Sequence, residues 1–160
     1  MRQALYVVDI QKCFNPPKWL IDEVNIVASK MPSAASVELH DETVTPFWGQ
    51  LGWKPGVDDV SLVETDKTFT KHGYAPTEEA IHYLKGLNVE RVLVCGIQAD
   101  TCVLAAGFSF FDAGLYPTLL PWLTIGSSLD RSGALGERLW KHHFGRVVSS
   151  KDELWASLDP

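Results

Sequence analysis

Three side chains of this sequence have the type and placement for nucleophilic and acid–base chemistry together: Asp9, Lys71 and Cys102. Cys102 follows Asp100-Thr101 and falls in the first turn of a helix. Unpaired backbone N–H groups there carry partial positive charge, which favours thiolate over thiol. That help matters, because the thiolate is the nucleophile and a free thiol is mostly protonated at neutral pH. Two N–H groups of the 97–102 turn are placed to hold the oxyanion of a tetrahedral intermediate. The plainer alternative is a buried structural cysteine, since free Cys is among the most buried residue types. Asp9 ends an apolar strand, a costly place for an unpaired carboxylate. A lysine nearby offsets that cost and a thiol nearby offers a proton; otherwise the carboxylate hydrogen-bonds the backbone of a neighbouring loop. Lys71, within Phe69-Thr70-Lys71-His72-Gly73, reads equally well as a solvated lysine, as most lysines are. No one of the three is decisive alone.

The elements that must position them alternate along the chain. A β-branched run, Leu5 to Val8, ends at Asp9 and is followed by a helical pattern with Leu20, Val24, Val27 and Met31 on one face. Ala34 to Leu39 reads as a second strand. Residues 40–60, rich in Gly and Pro, read as loop, and a third short strand is expected within Ser61 to Thr65. Pro76 suits the first turn of a helix that aligns Ile81, Leu84 and Leu87. Arg91 to Gly96 is the clearest strand. Asp100 is a candidate cap for the next helix, which ends at Gly114. Tyr116 to Leu120 reads as strand, Asp130 to His143 as helix, Arg146 to Val148 as a last short strand, and Lys151 to Leu158 as a closing helix. Roughly six strands and five helices in alternation imply an α/β fold: a doubly wound, mostly parallel six-stranded sheet with helices on both faces. Ligands of such sheets bind beyond the carboxyl ends of the strands, at a topological switch point. Asp9, Lys71 and the 96–102 segment all fall at or just past such ends.

The composition narrows the classes of function. A chain of 160 residues, 46% hydrophobic and 21% charged, is expected to form a single globular domain over residues 1–160. Its net charge of −6 leaves no electrostatic footprint for nucleic acid. No apolar run approaches the ~18 residues of a membrane span. The N-terminal segment lacks a small-residue cleavage site and reads as a strand rather than a signal peptide. The three cysteines, Cys13, Cys95 and Cys102, are odd in number and have no paired spacing. Reduced thiols in a cytoplasmic setting are expected.

Three segments together resemble one known family. GIQADTCV (96–103) is similar to the nucleophile turn of the isochorismatase-like cysteine hydrolases, where a glycine ends the fourth strand and an aspartate precedes the cysteine by two. VVDIQKCF (7–14) resembles that family's first-strand motif, and TKHGY (70–74) the segment bearing its lysine. The order and spacing of Asp9, Lys71 and Cys102 match the family pattern over roughly residues 3–150. The resemblance implies a covalent mechanism in which Asp9 takes the thiol proton, Lys71 supports the ionised pair, and Cys102 attacks a carbonyl carbon to form a thioester that water releases. It also implies a cis peptide at Ile97-Gln98, with the N–H groups of Gln98 and Cys102 forming an oxyanion hole.

The sequence departs from the nicotinamidase-type members of the family, which bind a metal through an Asp-x-His pair and a further histidine before the lysine. Glu38-Leu39-His40-Asp41 matches the first half only, and no histidine lies between His40 and His72. Three protein ligands are the norm for a catalytic metal, so neither metal nor other cofactor is expected, and the loop PFWGQLGW (46–53) looks like that of uncharacterised metal-free members. PWLTIGSS (121–128) stands where the family commonly has an acidic residue. Phe14, Trp48, Trp53, His72 and Tyr74 are the expected pocket walls, with Trp48 and Trp53 equally readable as subunit-interface residues. Homo-oligomers, dimers or tetramers, are implied by the relatives. Three functions fit: a thiol hydrolase acting on a small amide or carbamoyl C–N bond, a vinyl-ether hydrolase with Asp9 as general acid, and a non-catalytic binding subunit that keeps the fold. The intact trio favours the first.

Overall fold

The computed structural model describes residues 1–58 and 60–158. Five strands form one parallel sheet: β1 (Gln3–Val8), β2 (Ser33–Glu38), β3 (Lys67–Lys71), β4 (Arg91–Ile97) and β5 (Pro117–Ile125). Their order is β3-β2-β1-β4-β5, so the winding direction reverses between β1 and β4. Helices α1 (Lys18–Ala28), α2 (Phe47–Leu51), α3 (Glu78–Gly86), α4 (Cys102–Asp112), α5 (Ala134–Phe144) and α6 (Lys151–Ser157) connect and follow them.

Every residue of β1 is buried, as expected for a central strand covered on both faces. Its alternation divides the core. Leu5 and Val7 pack with Leu20 and Val24 of α1 and Leu154 of α6 on one face. Tyr6 and Val8 pack on the other face with Leu84 of α3, Phe110 of α4 and Trp140 of α5. Two such layers make the doubly wound architecture. Among the described residues, no helix is long and apolar enough to cross a membrane.

The structure corrects several local expectations. The third strand lies at 67–71 rather than 61–65. It is an edge strand with only Phe69 and Lys71 buried, so it carries no apolar run to mark it. Arg146 to Val148 does not add a sixth strand: it makes one bridge, Val147 to Leu119, before the chain turns into α6. The supposed loop 40–60 contains the short helix α2. Helix α3 is capped by Thr77, which accepts from Ala80 N at 3.2 Å, with Pro76 just outside it. Met31 lies past the end of α1.

Gly96 is required by packing. A Cβ on Gly96 would stand 2.2 Å from the Val8 carbonyl oxygen, and its φ of 119° lies where side chains are rarely tolerated. Gly96 pairs with Val8 in the register. The bare backbone therefore lets β4 approach β1 at the switch point, next to Asp9.

Candidate active site

Strand register brings the distant side chains together. Val8 pairs with Ser36 and with Gly96, so the residue after β1 and the turn after β4 emerge side by side. Glu38 and Lys71 are paired partners at the ends of β2 and β3. Lys71 is thus the last residue of its strand, not a few residues beyond it.

Asp9 is fully buried and holds a left-handed backbone conformation, φ 52°, an uncommon state for a residue with a side chain. Its Oδ1 accepts from Ser36 Oγ at 2.7 Å, and its Oδ2 lies 2.9 Å from the Lys71 ammonium. Lys71 Nζ also donates to Glu38 Oε2 at 2.7 Å, the Gly73 carbonyl at 2.8 Å and the Tyr74 carbonyl at 3.4 Å. Burial alone would discharge this lysine; the carboxylates of Asp9 and Glu38 beside it outweigh burial and hold it charged, well above its ordinary range. Cys102 is buried at the first position of α4. Its sulfur and carboxylate oxygens of Asp9 and Glu38 all lie within 4.8 Å of one another.

The resting state of the sulfur differs from the expectation of a helix-stabilised thiolate. Burial pushes the Cys102 thiol well up; Lys71 opposes this, while the neighbouring carboxylates and the hydrogen bond to Asp9 add to it. The group therefore rests as a thiol beside a carboxylate. Such an arrangement makes its nucleophile only when the proton moves.

Around the turn, Ile97-Gln98 is a cis peptide. Thr101 N and Val103 N donate to the Gln98 carbonyl, and Ala99 N donates to that of Ile125. The N–H groups of Gln98 and Cys102 are not engaged in these loop hydrogen bonds. Asp100 does not cap α4, whose cap position is Thr101. It accepts instead from Ser127 N at 2.8 Å and Ser127 Oγ at 2.5 Å, tying the loop after β5 to the turn.

A cavity of about 500 Å³ opens over the sulfur. Of the expected walls, Phe14, Trp53 and Tyr74 line it. Trp48 and His72 do not: Trp48 is 61% exposed, and His72 Nδ1 meets the Leu39 carbonyl at 2.8 Å. Phe47, Gln98, Thr101, Ser128 and Arg131 complete much of the wall. Phe47 was hidden among the aromatic and apolar residues of its loop, yet it is the hub of the aromatic wall, edge-on to Trp53 and Tyr74 at centroid distances of 6.0 and 5.3 Å. Glu38, noted in the sequence only as part of an incomplete metal pattern, is the larger omission. Its one sequence signal was an acidic residue closing an apolar strand, the same signal that singled out Asp9.

Several solved structures share this fold. They include the zinc complex of pyrazinamidase from Pyrococcus horikoshii (20% identity, TM-score 0.77, covering 94% of this chain and 100% of that one). PnC1 from L. infantum in complex with nicotinate is similar (20%, 0.77, 95% and 94%), as is N-carbamoylsarcosine amidase from Thermoplasma acidophilum (17%, 0.71, 94% and 98%). At such identities the likeness is one of fold. A search of curated proteins gives no match.

The residues here do not fit the zinc site that the first of these structures suggests. Among the described residues, the acid, thiol and imidazole groups that cluster in threes are Asp9, Glu38 and Cys102, and the Lys71 ammonium is already in contact with two of them. His40 Nε2 is turned to Glu42 at 2.8 Å. The isochorismatase domain model matches residues 3–152, nearly the whole chain, and this protein belongs to the isochorismatase family of hydrolases.

Proposed function

We propose that this chain is a cysteine hydrolase that cleaves an amide or carbamoyl C–N bond of a small molecule through a thioester on Cys102. The observation that carries this reading is the close grouping of thiol, carboxylate and ammonium, buried yet lining a cavity sized for a small ligand.

The steps follow from the contacts. The Cys102 thiol proton passes to Asp9 as sulfur attacks the carbonyl carbon. Lys71 keeps its charge throughout, balancing the negative charge wherever it sits between sulfur and carboxylate. The developing oxyanion faces the N–H groups of Gln98 and Cys102, the donors such an intermediate needs. Asp9 then returns the proton to the departing nitrogen, leaving acyl-Cys102 and a free amine. Water attacks the thioester while Asp9 takes its proton and passes it to the departing sulfur, releasing the acid and regenerating the thiol. Ser36 and Lys71 fix the Asp9 carboxylate through both oxygens, so proton transfer needs no side-chain search.

Arg131 is exposed at the mouth of the cavity and has no ion pair among the described residues, which suits an acid group at the far end of the substrate. Ureido acids and small carboxamides are therefore the substrates to screen. The three cysteines are free, as suits a reducing cytoplasmic setting. The exposed side chains of Trp48 and Leu51 on α2 suit burial in a homo-oligomer.

The test is intact-protein mass spectrometry of the wild type and Cys102→Ala during turnover of such a panel. An acyl adduct on Cys102 and loss of at least ~10³-fold activity in the variant are expected. A Cys102→Ala protein that still turns over, with Asp9→Ala inactive, would move the assignment to acid-catalysed vinyl-ether hydrolysis.

A further inference from the structure

Glu38 is a buried group at the site that the proposed steps leave unused. It is 2% exposed and lies on the cavity wall. One oxygen, Oε2, is taken by Lys71, while Oε1 is buried without a hydrogen-bond partner. Its backbone is clamped on both sides: Gln11 Nε2 donates to the Glu38 carbonyl at 3.0 Å, and Glu38 N donates to Gln11 Oε1 at 2.6 Å. The carboxylate is therefore held where it stands, with one buried acceptor unmatched on a residue that lines the cavity.

We propose that Glu38 is a specificity-determining residue whose free oxygen accepts a hydrogen bond from the N–H of the scissile amide or carbamoyl nitrogen. The inference rests on the C–N hydrolase reading and narrows its substrates to primary amides and carbamoyl compounds. A Glu38 oxygen lies within 4.8 Å of the Cys102 sulfur. A carbonyl carbon poised about 3–3.5 Å from sulfur leaves its attached nitrogen, one bond further, room to approach the Glu38 carboxylate within hydrogen-bond distance. An ester or an N,N-dialkyl amide brings no N–H and leaves the buried acceptor unmatched. A site built to bind a substrate N–H rejects analogues lacking it by on the order of 10⁴–10⁵ when fully enclosed. For this cavity, open at its mouth, the discrimination is expected to be at least about 100-fold.

Two matched series test it: nicotinamide with N,N-dimethylnicotinamide and methyl nicotinate, and carbamoylsarcosine, whose inner nitrogen carries no hydrogen, with its N,N-dimethyl and methoxycarbonyl analogues. Acylation of Cys102, and protection of Cys102 against iodoacetamide, are read by mass spectrometry in the wild type and in Glu38→Gln. The variant is isosteric and turns its amide oxygen to Lys71, so its NH₂ faces the cavity. Folding is checked by melting temperature, with Glu38→Ala as a second variant. The primary compound of at least one series should act best on the wild type and lose that advantage in both variants. An advantage that survives both variants, or none in either series, overturns the proposal. Equal acylation of Cys102 by ester in wild type and variant, without N–H preference, would remove the role of Glu38 and leave the thioester mechanism standing. No acyl-Cys102 from any compound would remove both.

Discussion

Replacing Lys71 by methionine keeps most of the side-chain volume and removes the ammonium from a buried group containing two carboxylates. At 2.9 and 2.7 Å, each carboxylate is attracted by about 6 kcal/mol for an effective dielectric near 20. Desolvation of the charges offsets much of this. Truncating one partner of such a group typically costs about 3–5 kcal/mol, because it leaves charge buried and uncompensated. The carboxylates of Asp9 and Glu38 then face one another, and a pair of that kind keeps one proton far above the ordinary carboxylate range. The sign of the pH effect follows. The folded variant binds that proton more tightly than the unfolded chain, so it gains stability as pH falls through the folded value, and its deficit is greatest above it. Urea unfolding of wild type and Lys71→Met at pH 8 and pH 5.5 measures both quantities. With a slope near ~2 kcal/mol per M for a chain of this size, the midpoint should drop by roughly 1.5–2.5 M at pH 8. The deficit should shrink by at least about 1 kcal/mol at pH 5.5. A loss under about 1 kcal/mol at pH 8, or the same loss at both pH values, would show that Lys71 does not hold two ionised carboxylates. The proton-transfer geometry built on it would then fail.

Two further outcomes are expected. Because burial holds Cys102 as a thiol, its alkylation by iodoacetamide should keep rising from pH 6 to 9, followed by mass spectrometry of its tryptic peptide; a plateau reached by pH 7 would reveal a resting thiolate instead. Asp100→Ala releases Ser127 N and Oγ, which should cost about 1–3 kcal/mol and loosen the wall carrying Ser128 and Arg131. A lower melting temperature and weaker substrate protection of Cys102 are the readouts, and an unchanged value of either would contradict the tie.

Much of the architecture was legible because central parallel strands are buried on both faces and announce themselves as apolar runs. Leu5 to Val8 and Arg91 to Gly96 are of this kind. The edge strand 67–71 was missed for the complementary reason: one face is solvated, and polar residues interrupt its pattern. A residue's own type also marks chemistry when it conflicts with its setting, as with an aspartate closing an apolar run.

By itself, then, the sequence determined the alternation of elements and put Asp9, Lys71 and the turn before Cys102 at or just past strand ends. Only tertiary structure decided what those groups do to one another. Register between β2 and β3 made Glu38 and Lys71 neighbours, although 33 positions separate them. Burial turned Cys102 from an expected thiolate into a thiol awaiting proton transfer, and the Ser127 loop drew Asp100 away from the helix it was expected to cap. Each outcome depends on distance and solvent access through folded space. A linear order of residues carries neither quantity.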